Sequence, residues 1–110
     1  MKKFEIIILQ IVKDFLQKTD KKARGKIIYN MHKVQKTNDP KLLKKITTDI
    51  WEFRTKYQNK QYRILAFWDK KDNKNTLVIC SNGFVKKTQK TPKSEIIKAE
   101  KIMNNYLKNI

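Results

Sequence analysis

The side chains in this chain that could act on a charged substrate are few, and nearly all are cationic. Arg54 and Arg63 fall in two stretches dense in aromatic and β-branched residues. The run Lys86-Lys87-Thr88-Gln89-Lys90-Thr91 follows further on, with no acid inside it. One carboxylate, Glu52, stands two residues before Arg54. There is no Ser/His/Asp arrangement and no glycine-rich phosphate loop. The lone Cys80 and the lone His32 give no zinc-ligand spacing. The sequence therefore calls for no metal and no cofactor, and His32 reads as a surface or boundary residue of a helix. Arginine, lysine and one carboxylate suit a reaction whose nucleophile is already tethered to its electrophile: attack of an RNA 2′-hydroxyl on the adjacent phosphate. Arginines can clamp the phosphate oxygens as negative charge grows on them. A lysine among other cations loses affinity for its proton and can exchange it nearer neutrality.

Composition points the same way. The chain has 110 residues, with 27 Lys and Arg against 10 Asp and Glu, a formal charge of +17. Self-repulsion of that size strains a compact state, so it calls for a nucleic acid, an anionic membrane or an acidic protein partner. The plainer alternative is a lysine-rich surface that is merely solvated. A hydrophobic content of 39% is enough for one modest core, hence a single domain over residues 1–110. One cysteine allows no internal disulfide and suits a reducing, cytoplasmic setting. The apolar stretch at residues 4–12 is interrupted by Glu5 and Gln10 and is too short to span a bilayer, so no membrane partner is expected.

The elements that must position these residues follow from periodicity. Residues 3–11 read as a buried strand, and residues 12–17 as a turn of helix. Asp20 caps a second helix to about residue 37, on which Ala23, Ile27, Met31 and Val34 recur at helical spacing. Asn38-Asp39-Pro40 is a break, with a short helix expected through residue 45. Residues 50–57, 61–68 and 76–81 read as a three-stranded antiparallel meander. Thr91 is expected as the N-cap of a last helix carrying Ile96, Ala99, Met103 and Leu107 on one face. The order of elements predicts an α+β domain.

If Tyr57 lies opposite Tyr62, then Thr55 meets Ile64, Phe53 meets Ala66 and Trp51 meets Trp68. All eight share one face, which must be the core. The other face carries Glu52, Arg54 and Lys56 on one strand and Arg63, Leu65 and Phe67 on the next, with the two arginines on a diagonal. One reading of that face is a solvated surface with Leu65 and Phe67 partly covered. The other is a basic groove that holds a phosphate chain and stacks a base on Phe67.

Several segments resemble a known family. They are Ile50-Trp51-Glu52-Phe53-Arg54, then Tyr62-Arg63-Ile64-Leu65-Ala66-Phe67-Trp68, then Gly83-Phe84-Val85-Lys86-Lys87-Thr88-Gln89-Lys90-Thr91-Pro92, and then Glu95-Ile96 with Ala99-Glu100. In this order they are similar to the phage-derived HigB-like branch of the RelE/ParE toxin superfamily. The resemblance implies a RelE-like fold: an N-terminal strand and two helices packed on a twisted antiparallel sheet, with a C-terminal helix. It also implies metal-independent, ribosome-dependent cleavage of mRNA and neutralisation by a helix-turn-helix antitoxin. A homodimer or a toxin–antitoxin heterotetramer would fit such a system. Carried over by position, Arg54, Arg63, Lys87 and Glu52 become the catalytic candidates. Lys56, Lys86, Thr88, Lys90 and Phe67 become RNA-binding candidates. Glu52 stands where some relatives have a basic residue, and Thr88 or Lys90 is nearest to the tyrosine that some relatives carry after the loop. Two readings from other classes stay open: a ParE-like DNA gyrase poison, and a non-enzymatic nucleic-acid-binding module.

Overall fold

The computed structural model describes residues 4–70, 77–87 and 89–108. It shows an α+β arrangement built on one five-stranded sheet of order β1-β5-β4-β3-β2. The elements run β1 (Glu5–Ile8), α1 (Gln10–Lys18), α2 (Lys21–Thr37), β2 (Leu43–Lys45), β3 (Trp51–Tyr57), β4 (Lys60–Asp69), β5 (Leu77–Lys86) and α3 (Lys93–Lys108). The meander β3-β4-β5 is antiparallel, as its composition predicts. β1 joins the far side of β5 and runs parallel to it, so the sheet is mostly, not wholly, antiparallel.

The helix signals act where the sequence puts them. The Asp20 carboxylate accepts from the backbone N–H groups of Lys22 and Ala23, satisfying two donors at the start of α2 that have no intrahelical partner. At the other end Asn38 takes a left-handed conformation and its N–H bonds back to the Val34 carbonyl. Between them Ala23, Ile27, Met31 and Val34 are buried against the sheet. Their partners include Phe53, Tyr62, Ile64, Ala66, Val78 and Cys80, with Trp51, Tyr57 and Trp68 half-buried at the margin. Buried Asn30 of α2 donates to Thr55 Oγ1 of β3 at 3.1 Å, which accounts for the one polar side chain on that sheet face of β3.

Three local expectations are corrected. Pro40 opens a single turn, closed by the Leu42 and Leu43 N–H groups on the Asp39 carbonyl. The chain then becomes the edge strand β2 and not a short helix. Leu43 is buried opposite Phe53, and burial there outweighs local helix preference. The hairpin register is also shorter by two residues. The loop is Gln58-Asn59, both with positive φ (47° and 67°), the pair of conformations a two-residue hairpin turn needs. Thr55 therefore faces Tyr62, Phe53 faces Ile64 and Arg54 faces Arg63. A shift of two leaves every side chain on its predicted face, because faces alternate with period two. Finally, β5 continues past its expected end at residue 81 as far as Lys86, the first residue of the basic run, after a bulge opposite Leu65 and Ala66 that leaves Ser81 without a register partner.

The second face of the sheet is covered over only part of its area. Ile50, Leu65, Phe67 and Ile79 form a smaller core with Ala99 of α3, flanked by Ile96, Ile102, Met103, Tyr106 and Leu107. Beyond the start of α3 that face carries the cations.

Candidate nucleic-acid site

Arg54 and Arg63 are direct cross-strand partners on β3 and β4. Two guanidinium groups so placed repel each other, and the arrangement is held by Glu52. That carboxylate is fully buried. Its Oε1 accepts from Arg54 Nε at 3.1 Å and lies 3.5 Å from Arg63 Nε. Its Oε2 accepts from the Thr91 hydroxyl at 2.5 Å. Glu52 is thus occupied on both oxygens and closed to solvent. It is placed to orient the arginines and the loop before α3, and its burial keeps it out of direct contact with solvent. This buried, paired setting suits an orienting ion pair.

The two arginines are not equivalent. The Arg54 side chain is 30% exposed and that of Arg63 only 7%. Arg63 donates from one terminal nitrogen to the Tyr62 carbonyl at 3.0 Å and from the other to Gln61 Oε1 at 2.6 Å. Its Nε is buried and has no hydrogen-bond partner. Burial lowers its proton affinity, the Glu52 charge raises it, and neighbouring Arg54 lowers it further. Arg54 is therefore the guanidinium that an incoming phosphate can meet, and Arg63 lies behind it.

Lys86 joins this group from β5, as the register partner of Gln61. Its pKa is lowered from the usual lysine value, first by burial and then by Arg63, Arg54 and Lys44, with Glu52 opposing. Lys44, which pairs with Glu52 from β2, was hidden to sequence reasoning because its segment reads as helix. Lys87 lies in the exposed loop beyond β5. With Lys86, Asn59, Gln61 and Gln89 it lines an open polar cleft of about 400 Å³ beside the hairpin turn. Lys56 shares the strand face of Arg54 and is exposed, as is Lys90 in the loop. Thr88 lies outside the described residues. Phe67, expected to stack a base, is fully buried under α3 with its ring edge-on to Tyr106 at 5.6 Å. That expectation is corrected, since the C-terminal helix occupies the place a base would take. His32 is on α2, bonded to Gln35, away from the cations.

Two buried polar tethers fix the boundary between the covered and the cationic parts of this face. One is Thr91 on Glu52. The Thr91 hydroxyl was expected to cap α3, but the Pro92 carbonyl takes that position, accepting from the Glu95 and Ile96 N–H groups. The other is Asn82, fully buried, whose amide donates to both the backbone carbonyl and Oε1 of Glu95. Ser81 Oγ lies 2.6 Å from Asn82 Oδ1 and 3.1 Å from the Leu65 carbonyl, so its single proton serves one of them.

Residues 14–104 match the family described as phage-derived Gp49-like proteins (DUF891). The chain belongs to that family. The Gp49-like proteins are related to the RelE/HigB-type toxins, which agrees with the resemblance carried by β3, β4 and the loop after β5. The match takes in the second half of α1 and the whole of α2, where the sequence offered only a hydrophobic pattern. No curated protein matches the chain. Among the described residues no helix is long and apolar enough to cross a membrane.

Proposed function

We propose that this Gp49-like protein is the RNA-cleaving toxin of a toxin–antitoxin pair, acting on mRNA held by the ribosome. The observation that carries the reading is the cross-strand pair Arg54–Arg63, held against its own repulsion around buried Glu52, with Lys86 alongside. Folding gains nothing from converging three cations, whereas a phosphate at its most charged moment would.

In this reading the exposed guanidinium of Arg54 binds the oxygens of the scissile phosphate. The 2′-hydroxyl gives up its proton to solvent water and its oxygen bonds to phosphorus. The bond to the 5′-oxygen breaks, and that oxygen takes a proton. The products are a 2′,3′-cyclic phosphate and a 5′-hydroxyl. Lys86, with weakened hold on its proton, is the donor for the leaving oxygen. Lys87, Lys56 and Lys90 contribute attraction along the phosphate chain. No strong base stands in this set, so the ribosome is assigned the task of holding the RNA in line. A helix-turn-helix antitoxin, acidic where it meets the cations, would block the face.

The test is brief induction in a bacterium, with mRNA 5′ ends mapped with and without translation. Wild-type protein should cut translated messages, and Arg54→Ala should slow cutting by about 100-fold or more, the loss expected for one transition-state donor. Arrested growth with intact mRNA and stalled gyrase would replace this reading with the ParE-like one.

A further inference from the structure

Glu52 Oε1 faces two guanidinium nitrogens and accepts a hydrogen bond from one of them. Arg54 Nε holds it at 3.1 Å, while Arg63 Nε waits 3.5 Å away, buried and without a partner. The other two nitrogens of Arg63 donate to Tyr62 and Gln61, which keeps its Nε beside Glu52. A buried donor left unpaired is costly, and a buried carboxylate stripped of its ion pair is costlier still. Arg54 is the most open to solvent of the three.

We propose that Glu52 and Arg63 form a handover device for Arg54. When Arg54 swings out to an anion, Arg63 Nε closes the gap to Glu52 and becomes its hydrogen-bond donor. The buried carboxylate is then never left with Thr91 alone, and Arg54 is released at little cost. Arg63 is by this account a positioning residue, which acts through Glu52 and touches no substrate. The inference rests on the reading of Arg54 as a phosphate-binding group, and goes beyond it in giving the second arginine a separate task.

The chain has three arginines, Arg24, Arg54 and Arg63, so ¹⁵N-arginine labelling of the full chain gives three Nε–H signals. Arg24 on α2 is the internal control. Inorganic phosphate is titrated against chloride at matched ionic strength. The Arg54 signal should move. The Arg63 signal should shift downfield and exchange with solvent at least about tenfold more slowly. In Arg54→Ala the Arg63 signal should already sit at its phosphate-bound place with no phosphate added. In Glu52→Gln the Arg63 response to phosphate should shrink. An Arg63 signal that is the same in wild type with and without phosphate and in Arg54→Ala overturns the handover, and so does an Arg54 signal that phosphate leaves unmoved. Cleavage of translated mRNA is read separately. Cutting with an unresponsive Arg63 sinks the handover alone. A responsive Arg63 with intact mRNA sinks the nuclease reading and leaves the handover standing.

Discussion

At the scale of single residues, two buried groups give contrasting expectations. Cys80 is fully buried, and burial pushes its thiol far above the ordinary range, so the reactive thiolate is absent in the native state. Alkylation by iodoacetamide should therefore proceed only through unfolding. Its rate should rise with urea in step with the loss of near-UV dichroism, and fast labelling without urea would contradict the burial. Lys86 is half-exposed and gives a pH effect whose sign can be worked out. Its folded pKa lies below the ordinary value of 10.5, so the unfolded chain binds more protons between the two values. Stability contributed by this site accordingly rises with pH across that window and is least favourable below it. Lys86→Met should raise the urea midpoint at pH 7, and its advantage over wild type should fade as pH approaches 10.5. A constant advantage across that range would mean that Lys86 is not the group responsible. The sequence shows that cations converge on β3 and β4. It does not show which of them meets solvent, because that depends on the exposure of Arg54 against Arg63, and a register two residues off puts the pair on a diagonal.

At the scale of elements, contacts that no periodicity reveals hold the site's frame. Gly83 on β5 lies under Phe15 of α1, and a Cβ placed there would come within 2.6 Å of the ring. Gly83→Ala should cost about 1–3 kcal/mol of stability by overpacking, measured in urea. A Gly83→Ala chain as stable as wild type would mean that α1 shifts freely. The hairpin offers the opposite change. Gln58 sits at φ 47°, a conformation asparagine tolerates better than glutamine, so Gln58→Asn should add a few tenths up to about 1 kcal/mol. Asn82→Ala should free the start of α3 from Glu95. Amide exchange should rise in the first turns of α3 while that of β3 and β4 stays protected. The helices, the meander and the two sheet faces were legible because apolar spacing and alternation report burial directly. β2, the parallel seat of β1 and the cover that α3 lays over Phe67 were not. Each is decided by a partner distant in sequence, and Leu43 or Phe67 looks the same whether its covering element is present or missing.

At the scale of the whole molecule, the +17 charge sets how partners arrive. Association with an acidic partner protein should be fast at low salt and should slow steeply between about 0.01 and 0.15 M, as the screening length falls from roughly 30 to 8 Å. Rates flat across that range would show that the charge does not steer. The sheet order has a consequence of another kind, in time. The first strand in the chain finds its place only beside the fifth, and the hairpin bearing both arginines leaves the ribosome before Lys86, Thr91 and α3 do. Vectorial synthesis thus presents Glu52 and its arginines first as an unroofed hairpin, with neither the threonine clamp nor the helix above it. The segment that closes the site emerges after the hairpin it closes on, so order of synthesis sets the order in which the buried carboxylate gains its partners.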